Sequence, residues 1–482
     1  MNYLESLDLD TQTRIELWRK LADLVEKYIM GVDQTRVAPK LDVQEIREFI
    51  ESIDFDNPLD PLKALEFVNR GLWQYQVHTP HPRYFGLFNP ASTTMSIVAD
   101  TLVAAFNPQL AAWSHSPFAA EVERYVIQKL GQQFGYKLEE IDGTFTSGGA
   151  EANFTAILTA LRHKFPKINS NGINGLKTKP VFYVSSESHH SVVRAARMSG
   201  LGDDALRIVP VDESLQMDLD ILVKMIKEDE STGKTPFSIV ATAGTTNAGV
   251  VDPISSIANI ATQYGLWLHV DAAWGGAAMF LPELRSVLEG IERADSITFD
   301  THKWLSVSMG AGLYLTRHEE VLGDTFRITT DYMPKDAKGL PVIDPYSHSV
   351  QWSRRFIGLK VFLSLTVAGW EGYIKTIRHQ VAMGDFLRQE LEKSAWQVVN
   401  KTKLPVVCFI DEISSAEKPD ALIKGIADEV TRSGSAWISK TYLKGKLPVL
   451  RACITNYRTD EEDVLALINI LEKARLDLRK YN

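Results

Sequence analysis

Short apolar runs that end in polar residues recur through the middle of the chain. Residues 266–270 (LWLHV) and 296–299 (SITF) are two of them, and an aspartate follows each run. Apolar runs of this length are typical of buried strands in a parallel sheet. In an open α/β sheet the ligand crevice lies at the carboxyl ends of the strands. The pattern therefore places Asp271, directly after the first run, and Lys303, shortly after the second, where chemistry usually occurs.

Three further segments combine strand and helix patterns. Residues 143–165 predict a strand, a glycine turn and a helix, and residues 181–200 predict a strand that delivers polar residues to the start of a helix. Residues 237–254 predict a strand and a glycine-containing turn. Strands and helices also alternate near the C-terminus, where they predict a small α/β unit. Alternation of this kind favours the α/β fold class.

The N-terminus follows a helical period instead. Residues 11–30 place their apolar side chains close to one stripe, so this segment is an amphipathic helix that needs a partner surface. That surface belongs either to its own domain or to another subunit. The pattern leaves both alternatives open.

Composition narrows the class of function. The chain has 482 residues, 45% of them apolar and 23% charged, which is enough for a large core with subsidiary domains. A formal net charge of −9 disfavours nucleic-acid binding, because that requires a clustered basic surface. Cys408 and Cys453 lack metal-site spacing and indicate buried small hydrophobic residues, so we expect no metal. The acidic start and the lack of a membrane-length apolar run predict a cytoplasmic enzyme with no membrane partner.

An acid and an amine at neighbouring strand ends indicate one particular cofactor. Pyridoxal phosphate requires a lysine amine for its Schiff base and a carboxylate that keeps its pyridine nitrogen protonated. Lys303 and Asp271 fit these two requirements. The structural alternatives are a solvated surface lysine and an aspartate that caps the next helix.

A glycine turn supplies a candidate phosphate site. Ser147, Gly148, Gly149 and Ala150 lie between a predicted strand and a predicted helix. Backbone N–H groups at a helix N-terminus bind anions, and glycine lets a phosphate approach the main chain. A glycine pair in this position is most often turn chemistry alone.

Several phrases together resemble one enzyme family. HVDAAWGG, DTHKW, TSGGAEAN, SSESHHSVVRAA and GTTNAGVVDP occur in this chain. They are similar to the group II pyridoxal-phosphate decarboxylases, the family of the aromatic-L-amino-acid, glutamate and cysteine-sulfinate decarboxylases. The resemblance covers roughly residues 70 to 475. It implies pyridoxal-phosphate-dependent decarboxylation of an L-amino acid to the amine and carbon dioxide.

The resemblance also implies an architecture. This is the fold-type I (aspartate aminotransferase-like) arrangement, with a mostly parallel central sheet flanked by helices. Residues 1–80 are expected to form a helical arm that packs on the partner subunit, residues 81–370 the large cofactor-binding domain, and residues 371–482 a small C-terminal α/β domain. A homodimer with shared active sites follows.

Roles for individual residues follow from the same resemblance. Lys303 is expected to bind the cofactor covalently and Asp271 to pair with its pyridine nitrogen. His189 is expected to stack on the ring beside the substrate carboxylate, although His190 is an adjacent competitor. Further cofactor-binding residues are the phosphate turn 147–150 and Thr246, Ala273 and His302.

Tyr332 is the residue most informative about reaction type. It lies in residues 328–349, which have no helical or strand period and are expected to form a mobile lid. Decarboxylation leaves a Cα that must receive a proton, and a phenol can act as that acid. In the family a tyrosine here accompanies decarboxylation, and a phenylalanine accompanies conversion to an aldehyde. The alternative is an ordinary loop aromatic.

Substrate identity is the least determined property. Phe88, Asn89, Trp113 and Arg451 match family positions near the substrate. Core packing explains Phe88 and Trp113 equally well, and a surface ion pair explains Arg451. We expect an aromatic substrate. An acidic amino acid, an aldehyde synthase, an aminotransferase, a sphingosine-phosphate-type lyase and a non-catalytic cofactor-binding scaffold are the alternatives.

Overall fold

A seven-stranded sheet forms the centre of the computed structural model, which describes residues 7–328, 339–411 and 419–479. Its strands are β1 (Asp142–Thr146), β2 (Pro180–Ser185), β3 (Leu206–Val209), β4 (Thr235–Thr242), β5 (Trp267–Asp271), β6 (Ser296–Asp300) and β7 (Gly312–Thr316). Their order is β1-β7-β6-β5-β4-β2-β3. Strand β7 runs antiparallel to β1 and β6, and the remaining pairs are parallel. The predicted α/β fold with a mostly parallel sheet is therefore confirmed.

Helices cover the large sheet. They are α4 (Thr94–Phe106), α5 (Pro117–Gln133), α6 (Gly149–Lys164), α7 (Ile168–Asn171), α8 (Ser191–Met198), α9 (Leu219–Ser231), α10 (Ile254–Tyr264), α11 (Val321–Phe326) and α12 (Gly358–Glu392). Every residue of β5, β6 and β7 is buried, as expected for strands covered on both faces. The apolar runs in the sequence reflect this double burial.

Three helices precede the large unit: α1 (Thr11–Gly31), α2 (Val43–Glu51) and α3 (Pro61–Gln74). Each begins after an aspartate whose carboxylate accepts two backbone N–H groups of the first turn, namely Asp10, Asp42 and Asp60. The helix predicted over residues 11–30 is confirmed. It packs against α3, where the rings of Tyr28 and Trp73 meet edge to face with centroids 5.2 Å apart.

A second sheet forms the C-terminal unit. Its elements are β8 (Trp396–Val398), β9 (Val406–Asp411), α13 (Pro419–Ser433), β10 (Ser439–Leu443), β11 (Leu447–Cys453) and α14 (Glu461–Arg479). The strands are antiparallel in the order β10-β11-β9-β8 and share a separate hydrophobic core with α13 and α14.

Helix α12 connects the two units. It is kinked at Gly369, whose φ of 62° and ψ of 177° are outside the helical region. Glycine adopts a positive φ without the steric cost that a Cβ imposes, so the break occurs at this position. Within the described ranges, none of the helices combines the length and apolarity needed to cross a bilayer.

Candidate active site

The carboxyl ends of three parallel strands converge on the glycine turn after β1. A Cβ built on Gly149 would lie 2.8 Å from Oδ2 of Asp300 and 3.4 Å from Cβ of Ala273. A Cβ built on Gly148 would lie 3.5 Å from the ring of His302. These contacts bring the ends of β1, β5 and β6 together. The turn requires glycine at position 149 because the Asp300 carboxylate occupies the space a side chain would need.

Lys303 lies at this junction and is not a solvated surface residue. Its Nζ is 2.9 Å from Oδ2 of Asp300, whose side chain is only 2% exposed, and the lysine side chain itself is 25% exposed. The backbone N–H of Lys303 also donates to the carbonyl oxygen of Asp300. The turn after β6 therefore holds the amine close to the strand ends.

Asp271 ends β5 and is buried, with 5% of the residue exposed. Its Oδ2 accepts a hydrogen bond from Nδ2 of Asn153 over 2.8 Å, and its Oδ1 accepts from the backbone N–H of Ala273 over 3.1 Å. The alternative interpretation was that Asp271 caps a following α-helix. Short 3₁₀ segments follow β5 instead of an α-helix. A buried carboxylate with both oxygens orientated suits recognition of a protonated ring nitrogen.

His189 is in the electrostatic field of the same groups. Burial lowers its pKa, the Asp271 carboxylate raises it, and the Lys303 ammonium lowers it. Asn153 links the histidine to Asp271, because its Nδ2 donates both to Asp271 and to the hydroxyl of Ser191, which contacts His189. Nδ1 of His189 accepts the backbone N–H of Ser191 over 3.2 Å and lies 2.8 Å from its hydroxyl. Because Nδ1 accepts, the proton of the neutral ring is on Nε2. His190 is the residue preceding α8.

The predicted phosphate turn has a defined polar partner. The backbone N–H and the hydroxyl of Ser147 both donate to Oε2 of Glu151, over 2.9 and 2.7 Å. Gln351 donates to Oε1 of the same glutamate over 2.7 Å. Ala150 is exposed, and α6 begins at Gly149. Because α6 begins within this turn, the turn presents the backbone N–H groups of a helix N-terminus, which favour the binding of an anion.

These groups fit pyridoxal phosphate. The N-terminus of α6 at Gly149 suits a phosphate, the buried carboxylate of Asp271 suits a pyridine nitrogen, and Lys303 supplies the amine. Burial lowers the pKa of His302, which favours its neutral ring beside Gly148. When bound, pyridoxal phosphate supplies the electron-withdrawing ring that makes bond breaking at a substrate Cα feasible.

The residues predicted near the substrate lie in three different environments. Phe88 is buried and stacks on Trp274, with ring centroids 4.4 Å apart. Asn89 is partly exposed, and its Nδ2 is 2.8 Å from the sulfur of Met309. Trp113 donates its indole N–H to Glu121 over 3.0 Å. Substrate contact by these three residues stays a prediction.

Arg451 and Thr246 are joined to each other. Nη1 of Arg451 donates to the carbonyl oxygen of Thr246 over 2.8 Å, and Nη2 donates to that of Gly86 over 2.6 Å. The Arg451 guanidinium carbon also lies 5.6 Å from the centroid of the Phe88 ring. Tyr332 falls outside the described residues, so its role also stays a prediction.

Several polar residues of the site were not identified from the sequence. Asn153, His269 and Thr298 form a buried hydrogen-bonded group around Asp271, and Asp300 pairs with Lys303. One signal was available for His269: it precedes Asp271 by two residues in a strand, so the two side chains share a face. Asn153 stands within the phrase TSGGAEAN, but nothing local indicates its partner.

Comparisons with known proteins agree with this chemistry. The family model "Pyridoxal-dependent decarboxylase conserved domain" matches residues 53–411. An aromatic-L-amino-acid decarboxylase of Bacillus atrophaeus is 31% identical over 469 residues, covering 96% of each chain. An acidic amino acid decarboxylase, GADL1 of Bos taurus, is 29% identical over 419 residues, which is 84% of this chain and 80% of that relative. A crystal structure of Oryza sativa TDC with PLP and tryptamine superposes with a TM-score of 0.91 at 23% identity, covering 98% and 99% of the two chains.

The chain therefore belongs to the pyridoxal-dependent decarboxylase family. This confirms the resemblance and the fold-type I architecture inferred from the sequence motifs. The chain is a carboxy-lyase that uses pyridoxal phosphate to decarboxylate an amino acid.

Proposed function

We propose that the chain decarboxylates an aromatic L-amino acid, with Lys303, Asp271, His189 and Tyr332 as its catalytic residues. Lys303 would hold the cofactor through its amine, and the cofactor would supply the electron-withdrawing ring. Asp271 holds the proton on the pyridine nitrogen, and His189 lies against the ring beside the departing carboxylate. Tyr332 delivers the proton to Cα. The observation that supports this assignment is geometric: Asp271 ends β5, and Lys303 and His189 lie shortly after the carboxyl ends of β6 and β2 in the same sheet. Asn153 hydrogen-bonds both Asp271 and Ser191, whose hydroxyl lies beside His189.

Two observations favour an aromatic substrate. The relative named as an aromatic-L-amino-acid decarboxylase matches this chain over nearly its full length. In addition, the guanidinium of Arg451 already serves two backbone carbonyls and lies over Phe88, so it is engaged before any substrate side chain arrives. An acidic substrate is the second candidate, because a relative with that specificity also matches most of the chain.

Carbon dioxide release from a panel of substrates distinguishes the two candidates. The panel contains the twenty amino acids, dihydroxyphenylalanine and cysteine sulfinate, each offered to the holoenzyme at the same concentration. We expect the highest kcat/KM for an aromatic amino acid. A higher value for glutamate, aspartate or cysteine sulfinate contradicts the proposed specificity, and release from none of them contradicts the proposed activity.

We also propose a cytoplasmic homodimer with shared active sites. Cys408 and Cys453 are both buried and free, which suits a reducing compartment. All of α1 lies within the described residues, and none of its side chains is buried; Trp18 is 58% exposed. An apolar helical face of this kind suits a second copy of the chain, in line with the family resemblance.

Sedimentation of the holoenzyme tests the dimer. We expect Trp18→Glu to shift the enzyme towards monomers, because a charge would enter the apolar interface. Leu476→Glu is the matched control, since Leu476 is similarly exposed on α14 at the other end of the chain. A wild-type monomer, or a dimer unaffected by Trp18→Glu, contradicts the proposed interface.

The division of the chain into residues 1–80, 81–370 and 371–482 is part of the same proposal. A second hydrophobic cluster, which consists of residues beyond 371 together with Phe85, supports the second boundary. The kink of α12 at Gly369 lies beside it. Limited proteolysis of the holoenzyme tests these boundaries.

A further inference from the structure

Asn153 lies at the centre of a buried hydrogen-bonded group behind Asp271. It is 2% exposed and projects from the second turn of α6, the helix that begins at the phosphate turn. Its Nδ2 donates to Oδ2 of Asp271 over 2.8 Å and to the hydroxyl of Ser191 over 2.9 Å. Its Oδ1 accepts the hydroxyl of Thr298 over 2.7 Å and lies 3.0 Å from Nε2 of His269. All the hydrogen-bonding groups of this amide are therefore used.

The Asp271 carboxylate at one end of this hydrogen-bonded group determines which atom is the donor in each of the following hydrogen bonds. The Asp271 carboxylate can only accept, so the amide nitrogen of Asn153 faces it and the amide oxygen faces His269. The amide oxygen also only accepts, so Nε2 of His269 carries the proton. Burial lowers the pKa of His269 to about 4, which keeps the ring neutral and its Nδ1 unprotonated near pH 7.

The far end of the group agrees with this direction. The indole N–H of Trp267 donates to Oγ of Ser296 over 2.9 Å, which leaves the serine hydroxyl hydrogen for Nδ1 of His269, 2.8 Å away. Donors thus run in one direction from Trp267 through Ser296, His269 and Asn153 to Asp271. Each of these side chains has the donor or acceptor group that its position in the series requires.

We propose that Asn153 is a positioning residue that holds the Asp271 carboxylate in the orientation required by the pyridine nitrogen of the cofactor. This rests on the proposed role of Asp271. Thr298 and His269 prevent the Asn153 amide from turning, and the second N–H of the amide reaches Ser191, whose hydroxyl lies against His189. One side chain therefore supports both residues assigned to the cofactor ring.

Cofactor affinity provides a test that does not depend on turnover. Apoenzyme is titrated with pyridoxal phosphate and with its 1-deaza analogue, in which carbon replaces the pyridine nitrogen. Asn153→Leu is expected to raise the Kd for pyridoxal phosphate about 10- to 100-fold, the range typical when a supporting partner is lost. The Kd for the deaza analogue is expected to change less than about threefold, because the affected contact is missing from it.

Two further variants separate a positioning role from a structural one. Asn153→Asp keeps the shape of the side chain but turns an acceptor towards Asp271. If Asn153→Leu fails to fold, Asn153→Asp should still weaken the binding of pyridoxal phosphate more than that of the deaza analogue. Thr155→Val is the matched control, since Thr155 is buried on the same helix and, among the described contacts, its hydroxyl bonds only the backbone carbonyl of Glu151. The control should leave both Kd values unchanged.

Asp271→Ala distinguishes failure of this inference from failure of the proposed function. If Asp271→Ala weakens both cofactors equally, the role assigned to Asp271 is wrong. If Asp271→Ala weakens pyridoxal phosphate selectively while Asn153→Leu and Asn153→Asp weaken both cofactors equally or neither, only the role of Asn153 is wrong. Selective loss in all three variants supports the inference.

Discussion

Nη1 of Arg451 donates a hydrogen bond to the carbonyl oxygen of Thr246 over 2.8 Å. Arg451 belongs to β11 in the C-terminal unit, whereas Thr246 lies in the turn after β4 in the large unit. With the bond to the Gly86 carbonyl, the guanidinium joins the small unit to two loops near the active site.

The contacts of Arg451 predict a loss of stability in Arg451→Met. Two carbonyl oxygens would lose a charged donor, which is expected to lower the free energy of unfolding by about 3 kcal/mol. Urea denaturation of the holoenzyme measures the change, with Arg432→Met at an exposed site of α13 as the control. Wild-type stability together with a strongly raised KM would instead assign Arg451 to the substrate.

Glu123 and Arg354 form a buried ion pair, with Oε2 2.6 Å from Nη2 and both side chains 4% exposed. Glu123→Gln would leave the guanidinium buried without a counter-charge, so we expect a loss of about 3–5 kcal/mol in unfolding free energy. Glu140→Gln, which breaks an exposed pair with Lys137, should cost less than about 1 kcal/mol. Equal effects of the two substitutions would contradict this prediction.

We predict that acid lowers the free energy of unfolding, because the pKa of buried histidines is lower in the folded state than in the unfolded state. Burial lowers the pKa of His269 to about 4, from the 6.5 that is ordinary for a histidine. The folded state then binds fewer protons than the unfolded state, so stability is highest above pH 6.5 and falls as the pH decreases towards 4. At pH 5 the His269 contribution amounts to a loss of about 2 kcal/mol.

Urea denaturation at pH 7 and pH 5 measures this linkage. His269→Gln should reduce the difference between the two pH values by about 2 kcal/mol relative to the wild type. His115→Gln, at an exposed position, should leave the difference unchanged. His81, whose pKa burial also lowers to about 4, should behave like His269 when substituted.

Sequence patterns predict those site residues that lie at the end of a strand or in a turn, because the neighbouring residues along the chain mark such positions. Asp271 ends one buried strand, Lys303 lies in the turn after another, and the Gly148–Gly149 turn joins a strand to a helix. Burial of a strand on both faces makes its apolar run continuous, so the polar residue after it is conspicuous in the sequence.

The supporting residues have no such local signal. Asn153 is separated from Asp271 by 118 positions and from Thr298 by 145, and only the folded sheet brings them together. Phe88 has the same limitation, because its stacking on Trp274 depends on how two loops pack. Periodicity reports which face of an element is buried, not which side chain it meets.

Tyr332→Phe is predicted to change the product. Without the phenol no acid delivers a proton to Cα, so the amine should decrease. In aerated buffer, where dioxygen serves as the two-electron oxidant and is reduced to hydrogen peroxide, the aldehyde that accompanies phenylalanine in the family should increase together with ammonia. Chromatography of the products measures their ratio, and Tyr442→Phe at an exposed position is the control. An unchanged amine yield would show that another group protonates Cα.

The covalent attachment of pyridoxal phosphate to Lys303 is the central claim. Borohydride reduction of the holoenzyme, followed by mass spectrometry of its peptides, tests it most directly. We predict that the reduced cofactor is recovered on the peptide containing Lys303 and that Lys303→Ala abolishes this label. Recovery of the cofactor on a different lysine, or on none in a holoenzyme that decarboxylates its substrate, would contradict the account.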